Sequence, residues 1–256
     1  MNYKTISIQI VDKVCILTLN RPEKLNILSR IFFDEFDHAI NNISQNKNLR
    51  VLIIAGNEKV FSAGGDLNEI GNADRETAKV MCMGVQKVFA SLFALDIPVI
   101  AAVSGIVYGG GLELALHCDI RFCSEETIFK LPESDLGLIP GAGGISLFSK
   151  IFSKADAAYY LMSGIEIPVE TAMSKGLVQN VFETEKLLDE TISFAKELSK
   201  KSRASLSAIK KILIAGYFET TEECLNMEIE EFVSTLNIDG KDKIREFFKF
   251  KVNKNK

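Results

Sequence analysis

Two short runs with apolar positions alternating or clustered, Tyr3–Ile10 and Val14–Leu19, open the chain. Both are rich in β-branched residues and flank Val11–Lys13, a pattern that predicts a β-hairpin. Asn20-Arg21-Pro22 ends the second strand, because proline lacks a donor and restricts its predecessor. Ser29 stands at the N-cap position of a helix predicted from Arg30 to about Ser44, with Ile31, Phe32, Phe36, Ile40 and Ile43 at helical spacing. Val51–Ala55 and Pro98–Ser104 are short, apolar, β-branched runs, the signature of strands buried on both faces. Between them, Phe61–Leu67 turns into a polar helical start, and helical character extends to Leu95. Leu112–Cys118 reads as helix, Ile120–Ser124 as strand, and Thr127–Leu131 as an extended piece before Pro132-Glu133. Beyond Gly144 the periodicity is helical: Ile145–Phe152, Ala155–Ser163, Val169–Lys175, Thr184–Leu198, Ser205–Ala215, Thr220–Val233 and a basic, aromatic helix over Asp239–Lys251. Strand–helix–strand alternation followed by helices predicts an α/β core with parallel strands and a helical C-terminal third.

Composition narrows the partners. A net charge of −4 and a pI of 5.4 argue against a nucleic-acid surface. No apolar run approaches the ~18 residues of a membrane span, and MNYKTISIQI lacks the blocks of a signal peptide. The expectation is a cytoplasmic protein with neither nucleic acid nor membrane as partner. Five scattered cysteines without a CxxC spacing and two histidines, His38 and His117, offer little to a metal site or a histidine-based triad, so no metal is expected.

The stretch Gly105–Gly144 carries the candidate chemistry. Gly109, Gly110 and Gly111 stand directly before a helical run. Glycine there admits close backbone approach. The first amides of a helix have no internal acceptor and lie at the positive end of its dipole. Together they suit an anion, or a carbonyl oxygen that becomes one during reaction. Glu113 falls in the first turn and Glu133 follows Pro132. Each has an ordinary explanation, as a dipole partner and as a turn residue. If both face one apolar cleft, however, their repulsion leaves one protonated near neutral pH, and the site holds an acid and a base.

GGGLELALHCDI and LPESDLGLIPGAGG, with NRPEKLNIL at Asn20–Leu28 and FSAGGDL at Phe61–Leu67 upstream, resemble in identity and order the signature of the crotonase superfamily, the enoyl-CoA hydratase/isomerase family. The resemblance runs from about the tenth residue to the C-terminal helices. It implies a crotonase-like β-β-α spiral core with a helical trimerisation region, divided here as residues 1–195 with the acyl-CoA site and 196–256 for oligomerisation. It implies an oxyanion hole from the amides of Gly65 and Gly110, catalytic roles for Glu113 and Glu133, and a water-positioning role for Gly141. Lys24, Leu25, Ala63 and Leu67 map to the coenzyme A contacts, though Lys24 is as readily a solvated loop lysine and Ile27 replaces the family's usual alanine. Asp66 reads better as a helix cap than as a ligand, and His117 as a packed residue.

The implied activity is reversible hydration of an α,β-unsaturated acyl-CoA, because hydratases carry both glutamates. Double-bond isomerisation using mainly Glu133, or acyl-CoA decarboxylation, are the alternatives. Coenzyme A is then part of the substrate, with no separate cofactor, and the assembly is a homotrimer or homohexamer. A non-catalytic or RNA-binding module predicts a basic helix face and missing glutamates, which the chain does not have. A ClpP-type protease lacks its histidine motif, and GAGG at Gly141 lacks the GxGxxG spacing of a nicotinamide site. Met81, Met83, Phe89 and Phe93 either line the acyl pocket or belong to the core.

Overall fold

The computed structural model describes the backbone of residues 3–254 and side chains through residue 249. Strands β1 (Ile6–Val11) and β2 (Val14–Leu19) form the expected antiparallel hairpin. Helix α1 (Arg30–Gln45) follows, then β3 (Val51–Ala55), β4 (Val60–Ser62), α2 (Leu67–Gly71) and α3 (Arg75–Ala90). The centre holds β5 (Val99–Val103), β6 (Ile106–Tyr108), α4 (Gly110–Leu116), β7 (Ile120–Ser124) and β8 (Ile128–Lys130). Then come α5 (Gly144–Ile151), α6 (Lys154–Ser163), α7 (Val169–Ser174), β9 (Asn180–Phe182), α8 (Leu187–Ser199), α9 (Arg203–Ala215), α10 (Thr221–Thr235) and α11 (Lys241–Lys254).

Two sheets divide the strands. A six-stranded sheet has the order β1-β2-β3-β5-β7-β9, parallel from β2 onward. A three-stranded parallel sheet has the order β4-β6-β8. The chain thus repeats one path three times: a strand in the large sheet, a strand in the small one, then helix or turn. This is the β-β-α spiral, and a helical C-terminal region follows it.

The large sheet is buried on both faces because its residues alternate between two apolar cores. Leu52, Ile54, Val99 and Ala101 face α1, α3 and α4. Val51, Ile53, Ile100 and Ala102 face the opposite way, against Leu187 and Ala195 of α8. Phe89, one of the alternatives for the acyl pocket, is wholly buried in the first of these cores.

Local expectations fail where a distant residue intervenes. Ser29 occupies the N-cap position of α1, but its hydroxyl makes no cap bond. The Glu69 carboxylate of α2 instead accepts from the Arg30 amide at 3.0 Å, an anion at a helix N-terminus. Helix α4 begins two residues before the predicted start, at Gly110. The short strands β4, β6 and β9 have no counterpart in the sequence pattern; each is three residues long and exists by its neighbour's hydrogen bonds.

Candidate active site

The small sheet positions the site. Its parallel strands β4, β6 and β8 all deliver the chain to one edge, and each is followed by one predicted functional piece. After β4 comes Gly64-Gly65, after β6 Gly109-Gly110, and after β8 Pro132-Glu133. Ligands favour the carboxyl ends of parallel strands, where loops and helix N-termini converge.

The two glycine amides lie close together. A Cβ built on Gly110 would sit 3.5 Å from the Gly65 nitrogen and 3.3 Å from Leu28 Cδ1. Gly110 is the first residue of α4, so its amide has no acceptor within the helix. Gly109 precedes it at φ +49°, a left-handed conformation that side chains avoid, and a Cβ there would come within 2.9 Å of Glu133 Oε1. The glycine run therefore has two duties: it turns the backbone into α4 and leaves room for a carboxylate.

Glu113 is 4% exposed. Its Oε1 accepts from the Ala142 amide at 2.7 Å and the Gly144 amide at 2.8 Å, at the head of α5. Burial pushes its carboxyl above the usual carboxylate range, and the two amides oppose that rise. Glu133 starts a 3₁₀ turn through Leu136, and its Oε2 is shut off from solvent with no hydrogen-bond partner. Burial first, and the charge of Glu113 second, raise the Glu133 carboxyl to about 7. The two glutamates thus sense one another across a single site, and one of them is held far less tightly than the other.

Gly141 lies on the loop that supplies those amides, and its carbonyl accepts from Gln86 Nε2 of α3 at 2.7 Å. His117 is a packed residue. Its Nδ1 donates to the Glu113 carbonyl at 2.8 Å, and its ring stacks on Phe93 at 4.9 Å. Burial lowers its pKa, so the imidazole is neutral. Asp66 caps α2 through the Asn68 and Glu69 amides.

The residues matched to coenzyme A contacts form a neighbouring rim. The Ala63 amide donates to the Leu25 carbonyl at 2.9 Å, and Leu25 and Leu67 are exposed. Lys24 ends the 3₁₀ turn Pro22–Lys24 with its side chain in solvent. Asn26 was missed by sequence reasoning. It is buried at φ +49°, accepts from the Arg21 amide at 2.7 Å, and donates to the Val60 and Phe61 carbonyls. It clamps the rim to β4, the strand that leads the chain to Gly65. Its signal was the Leu25-Asn26 pair itself, since asparagine tolerates the left-handed region that a tight turn demands.

Known proteins resemble this chain along most of its length. The family model described as enoyl-CoA hydratase/isomerase matches residues 9–253. The chain is 34% identical to the 2,3-dehydroadipyl-CoA hydratase of Escherichia coli (strain K12), over 79% of this chain and 78% of that protein. It is 32% identical to the probable enoyl-CoA hydratase echA8 of Mycobacterium leprae (strain TN), over 93% and 92% of the two chains. The crystal structure of an enoyl-CoA hydratase from Bacillus anthracis superposes with a TM-score of 0.92 at 28% identity, covering 97% of each chain.

Proposed function

The chain belongs to the enoyl-CoA hydratase/isomerase family, and from that premise we propose that it hydrates an α,β-unsaturated acyl-CoA reversibly, with Glu113 as base and Glu133 as acid. One observation carries the assignment: two glutamates share one apolar site but are held differently. Glu113 accepts two backbone amides on one oxygen, an environment that favours the anion. Glu133, raised to about 7 and without a partner on Oε2, carries a proton for part of the time at neutral pH. Its Oε1 also lies beside Gly109, next to the amide that would hold the thioester oxygen.

On this reading the Gly65 and Gly110 amides bind the thioester carbonyl. Glu113 takes a proton from water as the water oxygen bonds to the β carbon, and the Gly141 amide helps to place that water. The double-bond electrons move toward the carbonyl, whose oxygen gains negative charge in the hole. Glu133 then gives its proton to the α carbon. Passage of a proton from Glu113 to Glu133 restores the starting state. Coenzyme A is part of the substrate, and the rim of Lys24, Leu25, Ala63 and Leu67 is where it would lie. Nothing in these steps calls for a metal or a separate cofactor.

Assembly belongs to the same proposal. Helices α9 to α11, with the turn that joins α9 to α10, leave Leu213, Phe218, Phe232, Ile244 and Phe248 at least half exposed. A surface that apolar finds cover in other copies of the chain, and a homotrimer or homohexamer is the assembly we assign. Phe250 and Lys251, at the end of the basic, aromatic helix expected over Asp239–Lys251, have side chains outside the described residues.

Turnover in oxygen-labelled water tests the reaction. An α,β-unsaturated acyl-CoA should yield a β-hydroxyacyl-CoA carrying the label. Faster conversion of a β,γ-unsaturated thioester, with no label gained, would replace hydration with isomerisation.

A further inference from the structure

Helix α3 carries a residue whose contact ends on the catalytic carboxylate. Gln86 is exposed, yet its Nε2 donates to the Gly141 carbonyl at 2.7 Å. That carbonyl belongs to the same peptide unit as the Ala142 amide, and the Ala142 amide donates to Glu113 Oε1 at 2.7 Å. The order is side-chain amide, peptide group, carboxylate, with each donor pointing the same way. Hydrogen bonds in such a chain polarise one another, so a donor on a peptide carbonyl strengthens the N–H at its other end.

We propose that Gln86 is a positioning residue for the Glu113 carboxylate, acting through the Gly141–Ala142 peptide unit. Two consequences follow from the contact. The bond fixes the plane of that peptide, which aims the Ala142 amide at Oε1 while the Gly144 amide holds the same oxygen at 2.8 Å. It also ties α3 to the loop at the point where Cys82, four residues earlier on the same helix, lies against Gly141: a Cβ there would be 3.4 Å from its sulfur. Helix α3 otherwise packs on the core through Val88 and Phe89, its two buried residues, and the partly buried Val85. The link to the loop thus joins one directed hydrogen bond to one packing contact.

The groups that face Glu113 are few. Glu133 faces it from the end of β8 and shifts with its charge. On its own helix, His117 is neutral and engaged with the Glu113 carbonyl. From α3, Cys82 reaches Gly141, and from α5 the Gly144 amide donates to Glu113 Oε1. None of these supplies a positive charge, so the amide donors are what favours the ionised form. Weakening one of them raises the pH at which Glu113 ionises.

The proposal rests on Glu113 being the base, and the test separates the two. Gln86→Met keeps the length and removes the donor, whereas Gln86→Lys keeps a donor. Infrared titration of the Glu113 carboxyl, isolated as a difference against Glu113→Gln, reads the relay without turnover. The expected midpoint in Gln86→Met rises by on the order of a few tenths of a pH unit; in Gln86→Lys it does not rise. With an α,β-unsaturated acyl-CoA, the acid limb of the kcat profile of Gln86→Met should move the same way, with kcat down about tenfold and KM within about twofold. An unchanged infrared midpoint in Gln86→Met overturns the relay, as does an equal rise in both variants. If Glu113→Gln keeps its turnover, the base assignment fails on its own, and the infrared midpoints still decide the role of Gln86.

Discussion

Lys210 Nζ of α9 lies 2.9 Å from Oδ2 of Asp119, the residue between helix α4, which carries Glu113, and strand β7. The lysine also donates to the carbonyls of Leu92 and Ile97, and the aspartate accepts from the Val99 amide at 2.7 Å. Burial raises the Asp119 carboxyl, and Lys210 opposes the rise. This buried pair, with Arg203 on Asp96 at 2.7 Å, fastens the helical C-terminal region to the core beneath the site.

Breaking that pair from one side should be costly, because it strands a buried carboxylate. Lys210→Met is expected to lower unfolding stability by about 3–5 kcal/mol. The double variant Lys210→Met/Asp119→Leu should recover part of the loss. Urea unfolding at one fixed protein concentration checks both, and a single variant as stable as wild type contradicts the account.

Glu133→Gln removes a proton donor while keeping shape. Turnover should fall on the order of a hundredfold or more, with binding of the acyl-CoA nearly unchanged. Initial rates together with calorimetric affinity decide it; a loss of only a few-fold would reject Glu133 as the acid.

The same residue imposes a pH dependence on stability. Its carboxyl stands at about 7 in the fold against an ordinary 4.5, so between those values the folded chain binds more protons than the unfolded one. The stability contributed by the neutral carboxyl is complete below the unfolded value and is lost as pH rises through about 7. Glu133→Gln has no such loss. Above pH 7 it should be more stable than wild type, relative to their difference at acid pH, by on the order of 1–2 kcal/mol once solvent screening is allowed for. Melting curves across that range would show the two proteins diverging upward in pH; parallel curves would contradict the assignment.

Gly110→Pro deletes one amide of the proposed oxyanion hole at a helix position where proline is well tolerated. Its Cβ would meet the end of the flexible Leu28 side chain at 3.3 Å. Activity should fall on the order of a hundredfold to a thousandfold. Circular dichroism and melting establish that the fold survives, and a folded, fully active variant removes Gly110 from the hole.

A charge in the exposed apolar face of the C-terminal helices should break assembly. Phe232 is 69% exposed and Leu213 68% exposed. Phe232→Glu and Leu213→Glu are expected to shift sedimentation from trimer or hexamer toward monomer. A wild-type chain that is already monomeric at micromolar concentration would end the proposal.

Chemistry confined to a few consecutive residues was legible in the sequence. Gly109, Gly110 and Glu113 lie within one turn, so a helix head with free amides and a nearby carboxylate could be read directly. The largely apolar runs Val51–Ala55 and Pro98–Ser104 announced strands buried on both faces, and α1 announced itself by helical spacing. The pairing of Gly65 with Gly110 came from family resemblance, since nothing local joins residues so far apart in the chain.

Tertiary structure alone decided what depends on neighbours from elsewhere in the chain. Glu133 is held near 7 because β8 ends beside β6 and leaves its carboxyl beside Gly109, away from solvent. Glu69 displaces Ser29 as the partner of the first α1 amide, and Asn26 clamps a rim whose sequence shows only a turn. The strand at Asn180–Phe182 exists because β7 offers an unpaired edge. A residue's own chemistry and its spacing to near neighbours are written along the chain. Desolvation, charge proximity and strand edges belong to pairs of residues that the chain separates and only the fold brings together.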